Sequence, residues 1–324
     1  MGTHRRHFTS ALALTSLALG ALGIAGPVVA EIQPQDWLNR MGVAVQSTSY
    51  EGTVIRIKNG SAEALKVVHT VKDGVIMEKV VAQEGNGLEI IRNGNEVHCI
   101  LPDRKSVLVE EWNDQSTLFS TLPSSDIRFG SEYDLSIVRE DRVAGRDAML
   151  LAIRPHDGYR YGHRIWLDIE TGFPLQTQLI GEGNAIEQVK FADISLNQEI
   201  HASALLPSIS TENFTWLRQP SGHATTDIET DWHCDQLPAG FRAVSTHEET
   251  MSGSDETVTH IMFSDGLANV SVFIAANGGE LVSGADQVGG SNSYSIESGD
   301  FEITAIGEVP AITVEQIATS MRQP

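Results

Sequence analysis

The densest polar chemistry in the chain lies in one short stretch, where Arg154, His156, Arg160, His163 and Arg164 are interleaved with Tyr159, Tyr161 and Trp166. Guanidinium groups at this spacing suit a phosphate or carboxylate, which they hold through paired, charge-assisted hydrogen bonds. The aromatic rings between them add apolar surface for hydrocarbon. On a strand running through 159–168, Arg160, Arg164 and Trp166 share one face, and Tyr159, Tyr161, Ile165 and Leu167 share the other. Such a ribbon would take an anionic amphiphile. The same pattern also fits a hairpin whose arginines are solvated or pair with Asp157 and Asp168.

Other constellations are incomplete. No Gly-x-Ser-x-Gly elbow presents a nucleophile. His247-Glu248-Glu249 begins like a zinc-protease helix, but Met251 stands where the second histidine belongs. His233-Cys234-Asp235 has no spaced companion pair to complete a metal site. Gly278-Gly279 and Gly289-Gly290 are not followed by the Lys-Ser or Lys-Thr of a phosphate loop and read as turns. Neither a catalytic set, a metal nor a cofactor is therefore expected.

The elements that must position the arginine stretch are mostly strands. Trp37, Leu38, Met41, Ala44 and Val45 recur at helical spacing behind Asp36, a capping residue, and predict one helix. After Tyr50 the pattern turns to short apolar runs separated by steps such as Asp73-Gly74, Asn93-Gly94, Asp157-Gly158 and Thr171-Gly172. Runs at 95–101, 106–112, 133–139, 147–154, 159–168, 174–180 and 186–194 bring the count to ten or eleven strands. A single sheet of that size must curl. Between Asn113 and Phe129 the pattern lapses, and Leu118, Phe119 and Leu122 sit close together as a candidate lid and, with Arg160, Arg164 and Trp166, as candidate amphiphile contacts.

A Ser, Thr and Pro-rich stretch then marks a domain boundary. The expected organisation is a first domain over 31–207, a linker over 208–225 and a smaller α+β domain over 226–324. Asp265-Gly266 signals a hairpin between strands near 258–263 and 268–275. Thr313 and Gln316 form a capping box ahead of a last helix.

Residues 1–30 read as a cleavable signal peptide: Arg5-Arg6, an apolar run from Ala11 to Ala25, and Val28-Val29-Ala30 before the cut. The run is too short to span a bilayer, and no cysteine follows the cut for lipidation. The chain is thus expected in the periplasm without a membrane anchor, by the general or the twin-arginine route. The whole chain carries a net charge of -21, most of it in the second half. Residues 208–324 hold 3 basic and 17 acidic groups. That excess disfavours nucleic acid, and suits either a basic protein partner or a saline habitat. Cys99 and Cys234 fall one in each expected domain, and a disulfide between them is left open.

Blocks along the whole expected mature chain resemble the MucB/RseB family of sigma-E regulators. They include Asp36-Trp37-Leu38-Asn39-Arg40-Met41, Leu101-Pro102-Asp103-Arg104, Asp157-Gly158-Tyr159-Arg160-Tyr161-Gly162, Thr171-Gly172-Phe173-Pro174-Leu175, Leu237-Pro238-Ala239-Gly240-Phe241 and Gly307-Glu308-Val309-Pro310. The resemblance implies a mainly β chain: a large, strongly curved antiparallel half-barrel like LolA and LolB, with helices, then a smaller α+β domain that grips a partner. It implies a periplasmic negative regulator of envelope stress signalling that binds the periplasmic domain of a single-span anti-sigma factor and shields it from the site-one protease. Amphiphiles such as lipopolysaccharide or mislocalised lipoprotein would release it. The competing expectations are a soluble lipid or lipoprotein carrier, against which the added domain argues, and an envelope hydrolase on an unfamiliar scaffold. Homo-oligomerisation is left open.

Overall fold

The structure of the chain, a computed structural model, describes residues 1–2, 32–111, 118, 122, 130–218, 226–250, 257–278 and 283–323. The chain divides at Ile32/Gln33, and Gln33–Pro324 is one compact unit. Among the described residues no helix is long and apolar enough to cross a membrane.

Helix α1 (Pro34–Ser47) buries Trp37, Leu38, Met41, Ala44 and Val45, the apolar stripe seen in the sequence. Its start differs from expectation. Pro34, whose missing N–H is no loss in a first turn, opens the helix, so Asp36 lies inside the first turn and accepts the Gln33 N–H at 3.3 Å.

A meander follows through β1 (Tyr50–Lys58), β2 (Ser61–Lys72), β3 (Val75–Ala82), β4 (Glu89–Asn93), β5 (Glu96–Leu101) and β6 (Ser106–Glu111). It resumes in β7 (Tyr133–Val143), β8 (Arg146–Pro155), β9 (Gly162–Asp168), β10 (Pro174–Gly181) and β11 (Asn184–Leu196). The two runs join where β1 pairs antiparallel with β11. The turn between β2 and β3 shows why the punctuation was readable: Asp73 and Gly74 have φ of +52° and +79°, the left-handed pair that a tight hairpin needs.

The sheet is open, ending at β7 on one side. It curls strongly: β7 approaches β11, and α1 touches both β2 and β7. Bulges at Thr53/Val54, Ile137/Arg139 and Leu179/Ile180 interrupt the ladders and add bend. Tyr50, Phe173 and Phe191 interlock inside the curl, with Tyr50 4.8 Å from Phe173 and 5.8 Å from Phe191 between ring centres. At the other edge, β12 (Thr215–Arg218) lies parallel to β6. Among the described residues the sheet is thus antiparallel in all but one pairing, and part of the stretch expected as linker is a strand.

The second sheet is built from β13 (Thr226–Asp227), β15 (Arg242–Thr250), β16 (Thr257–Ser264), β17 (Asn269–Ala276), β18 (Gly284–Val288), β19 (Ser291–Ser298) and β20 (Phe301–Gly307), while β14 (His233–Cys234) stands outside it. Its order is β13-β15-β16-β17-β20-β19-β18. Helix α2 (Ala311–Ser320) packs against β19 and β20, and its Val314, Ile317 and Ala318 join Phe263, Val272 and Ile303 in one core. A short ribbon of β14 with β21 (Met321–Arg322) closes the end. Cys99 and Cys234 are both free thiols, and burial pushes Cys99 up to about 11.

Candidate functional site at the junction of the two sheets

The arginine stretch lies where the two sheets meet, though not as an unbroken strand. Strand β9 starts only at Gly162, and residues 156–161 form a turn between β8 and β9. Asp157 makes that turn by accepting the Tyr159 N–H at 3.0 Å. Arg160 therefore does not share a strand face with Arg164 and Trp166 as the alternation suggested. Its side chain is fully buried and every arm is engaged: Nε on Asp157 at 3.1 Å, Nη1 on Asp265 at 2.8 Å, Nη2 on the Ala239 carbonyl at 2.6 Å. The guanidinium also lies over the rings of Tyr133 and Phe241, at 5.4 and 5.1 Å.

Asp265 belongs to the expected Asp-Gly hairpin of the second sheet, and its carboxylate is saturated. One oxygen accepts Tyr133 Oη and Arg160 Nη1, both at 2.8 Å. The other accepts the Leu267 and Ala268 N–H groups at 2.9 and 2.7 Å, which shapes the turn. Burial, with Asp265 beside it, pushes the Tyr133 phenol well above its ordinary value, so it stays a donor.

Three further bonds cross the junction. Thr313 Oγ1 donates to the Tyr159 carbonyl at 2.7 Å. The sequence assigned Thr313 to a capping box, but α2 starts two residues earlier, at Ala311, and the hydroxyl bonds across to the first sheet instead. Asn292 donates to Tyr161 Oη at 3.0 Å and to the Val309 carbonyl at 2.7 Å. The Gly290 N–H donates to Glu187 at 2.6 Å, and Lys58 pairs with the same carboxylate at 3.0 Å. A Cβ at Gly290 would stand 2.5 Å from Leu179, so this approach needs glycine. Residue type and spacing marked Asp265 and Gly290 only as turn residues and did not mark Asn292 or Glu187, because their partners across the junction are more than a hundred residues away.

Beside these contacts opens a cleft of about 950 Å³. Ile180, Ile186 and Ile312 give it apolar wall, and the exposed Arg154 and Arg164 bring cationic groups to it. Trp166 faces away from this role: it is 7% exposed, packs in the first core and donates Nε1 to Asp141 at 2.9 Å. Leu118 and Leu122 pack partly buried against the first core, while Phe119 and most of the expected lid lie outside the described residues. Leu122 also borders a small pocket with His163 and Glu308. Burial pushes His163 down to about 4. Burial and the nearby Glu187 push Glu308 up to about 7.

Away from the junction, His247, Glu249 and His260 converge on the second sheet. The sequence pointed to the first two of these only as an incomplete helical motif. The period was wrong: these are strand residues, and the second histidine comes from the neighbouring strand.

A curled open sheet, latched to a second sheet with one helix and leaving a cleft between them, defines a two-part, mainly β scaffold. The chain belongs to the MucB/RseB family: the family's N-terminal domain matches residues 33–209 and its C-terminal domain residues 226–322. The sigma factor AlgU regulatory protein MucB of Pseudomonas aeruginosa is 31% identical over 94% of this chain and 96% of its own length. The sigma-E factor regulatory protein RseB of Salmonella typhimurium is 26% identical over 97% of each. Among solved structures, MucB in complex with MucA(peri) superposes with a TM-score of 0.67 at 29% identity, covering 90% of this chain and 98% of that one.

Proposed function

We propose that this chain is a periplasmic regulator of sigma-factor signalling that binds the periplasmic domain of a single-span anti-sigma factor, shields it from site-one proteolysis and lets go when an amphiphile binds. The observation that carries the reading is the near full-length relationship to MucB, itself solved with MucA(peri). The junction cleft supports the amphiphile step, because hydrocarbon against Ile180, Ile186 and Ile312 leaves an anionic headgroup within reach of Arg154 and Arg164. Arg160 is a latch between the sheets rather than a ligand contact. A leader over residues 1–30 fits this address.

The test is a titration of the purified chain with the periplasmic fragment of a single-span anti-sigma factor from the same organism, followed by site-one protease digestion. Stoichiometric binding and slower cleavage are expected, with lipopolysaccharide reversing both. Replacing Arg154 and Arg164 together by Ala should weaken lipopolysaccharide binding and leave the protein partner bound. Cleavage at the same rate with and without the chain would sink the regulatory reading. Lipopolysaccharide affinity unchanged in the double variant would remove the cleft from it.

A further inference from the structure

The His247, Glu249 and His260 side chains lie at one end of the second sheet. His247 and Glu249 are two apart on β15 and so share a face, and His260 sits directly opposite His247 on β16. His260 Nδ1 is 3.1 Å from His247 Nε2, and Glu249 Oε2 is 3.5 Å from His247 Nε2 and 3.8 Å from His260 Nδ1. All three side chains are under 20% exposed. Three donor atoms around a tetrahedral Zn²⁺ with bonds of about 2.0–2.1 Å stand roughly 3.3 Å apart, and the sides found here, 3.1, 3.5 and 3.8 Å, bracket that spacing.

A hydrogen bond between the two rings satisfies the site less well. One ring would donate to the other, and Glu249 would add only a loose contact at 3.5 and 3.8 Å. A cation accepts both imidazole lone pairs and the carboxylate at once. His260 is also held in place for it: its ring stacks on Phe273 at 4.4 Å and 21°.

We propose that His247, Glu249 and His260 form a binding site for a borderline divalent ion, Zn²⁺ foremost, that clips β15 to β16 and leaves the fourth coordination position to water. Two imidazoles and a carboxylate make a set that Zn²⁺ favours and that Mg²⁺, which prefers oxygen ligands, does not.

The test is calorimetric titration of the EDTA-treated full chain with ZnCl₂, with MgCl₂ as the contrasting ion. One Zn²⁺ per chain and a rise in Tm are expected, and no response to Mg²⁺. His247→Gln and Glu249→Gln should each weaken Zn²⁺ binding by at least about tenfold, since loss of even an outer partner of a metal ligand weakens binding roughly 10–100-fold. His233→Ala, at the separate His233 and Asp235 pair, should change nothing. Because a β-strand variant can fail to fold, ring NMR of the unaltered chain gives a second readout: Zn²⁺ should shift His247 and His260 and leave His233 in place. No saturable binding, equal binding in His247→Gln, or shifts confined to other histidines would overturn the proposal.

Discussion

Among the described residues two acid–base pairs are buried almost completely, and they are built on different terms. Arg160 and Asp265 join the two sheets with side chains 0% and 1% exposed, and around them Tyr133, Asp157, Ala239, Leu267 and Ala268 supply partners for every arm. His69 on β2 and Glu78 on β3 face each other inside the first sheet, 0% and 1% exposed, with a single contact of 2.8 Å. His69 Nε2 and Glu78 Oε1 have no partner among the described residues. The difference teaches where burial of charge organises structure. A pair at the centre of a network fixes the position of everything bonded to it, whereas a pair alone repays its desolvation only in part.

The largest effect should come from breaking the networked pair. Asp265→Ala leaves the Arg160 charge buried and removes the acceptor of Tyr133 and of two backbone N–H groups. A loss of about 3–5 kcal/mol is expected, the range for stranding one member of a buried pair. Urea unfolding should also split into two transitions as the sheets part; a single transition at unchanged midpoint would refute the latch.

Gly290→Ala attacks the same junction sterically. The added methyl meets Leu179, and overpacking of this kind costs about 1–3 kcal/mol. A smaller loss, about 1 kcal/mol, is expected for Thr313→Val, which keeps shape but leaves the Tyr159 carbonyl without its donor. Equal stability of Thr313→Val and the unaltered chain in urea would mean that water replaces the hydroxyl.

How these residues were hidden is instructive. Alternation and Asp-Gly or Asn-Gly steps made the strands legible because each depends on neighbours in the chain, and so did the stripe on α1. The arginine stretch was legible as an anion-binding composition, but its partition was not. Asp157 turns the chain at 157–161, which breaks the strand phase and sends Arg160 inward while Arg164 stays exposed. Thr313 carried a local capping signature that a longer-range bond displaced. The His247, Glu249 and His260 cluster was invisible to any single-strand motif, since pairing across β15 and β16 supplies its third member.

Acid titration sharpens the comparison at the junction, where two neighbours respond with opposite sign. His163 has a folded pKa of about 4, below the ordinary 6.5, so it contributes stability above 6.5 that is lost as pH falls through 6.5 toward 4. Glu308 is raised from 4.5 to about 7, so it favours the folded state most below 4.5 and loses that contribution as pH rises through 7. Over the shared window the two slopes oppose, which leaves a small net effect. His163→Gln should expose the Glu308 slope, with Tm falling between about pH 4.5 and 7, and Glu308→Gln should expose the reverse. Parallel Tm profiles for the two variants would show that neither group titrates as its burial requires.

The smallest change is expected at the solitary pair. His69→Leu with Glu78→Met replaces both partners by apolar side chains in a core that already holds Tyr50 stacked on His69 at 4.8 Å. Since two of the pair's polar atoms lack partners, removing both polar side chains relieves desolvation without orphaning a neighbour. Stability should be unchanged or higher, as for other buried pairs exchanged for hydrocarbon. The matching exchange of Arg160 and Asp265 should still be destabilising, because Tyr133, Leu267, Ala268 and Ala239 would each be left with an unmet polar group. If both double variants lose stability equally in urea, the contrast between a networked and a solitary pair does not govern this fold.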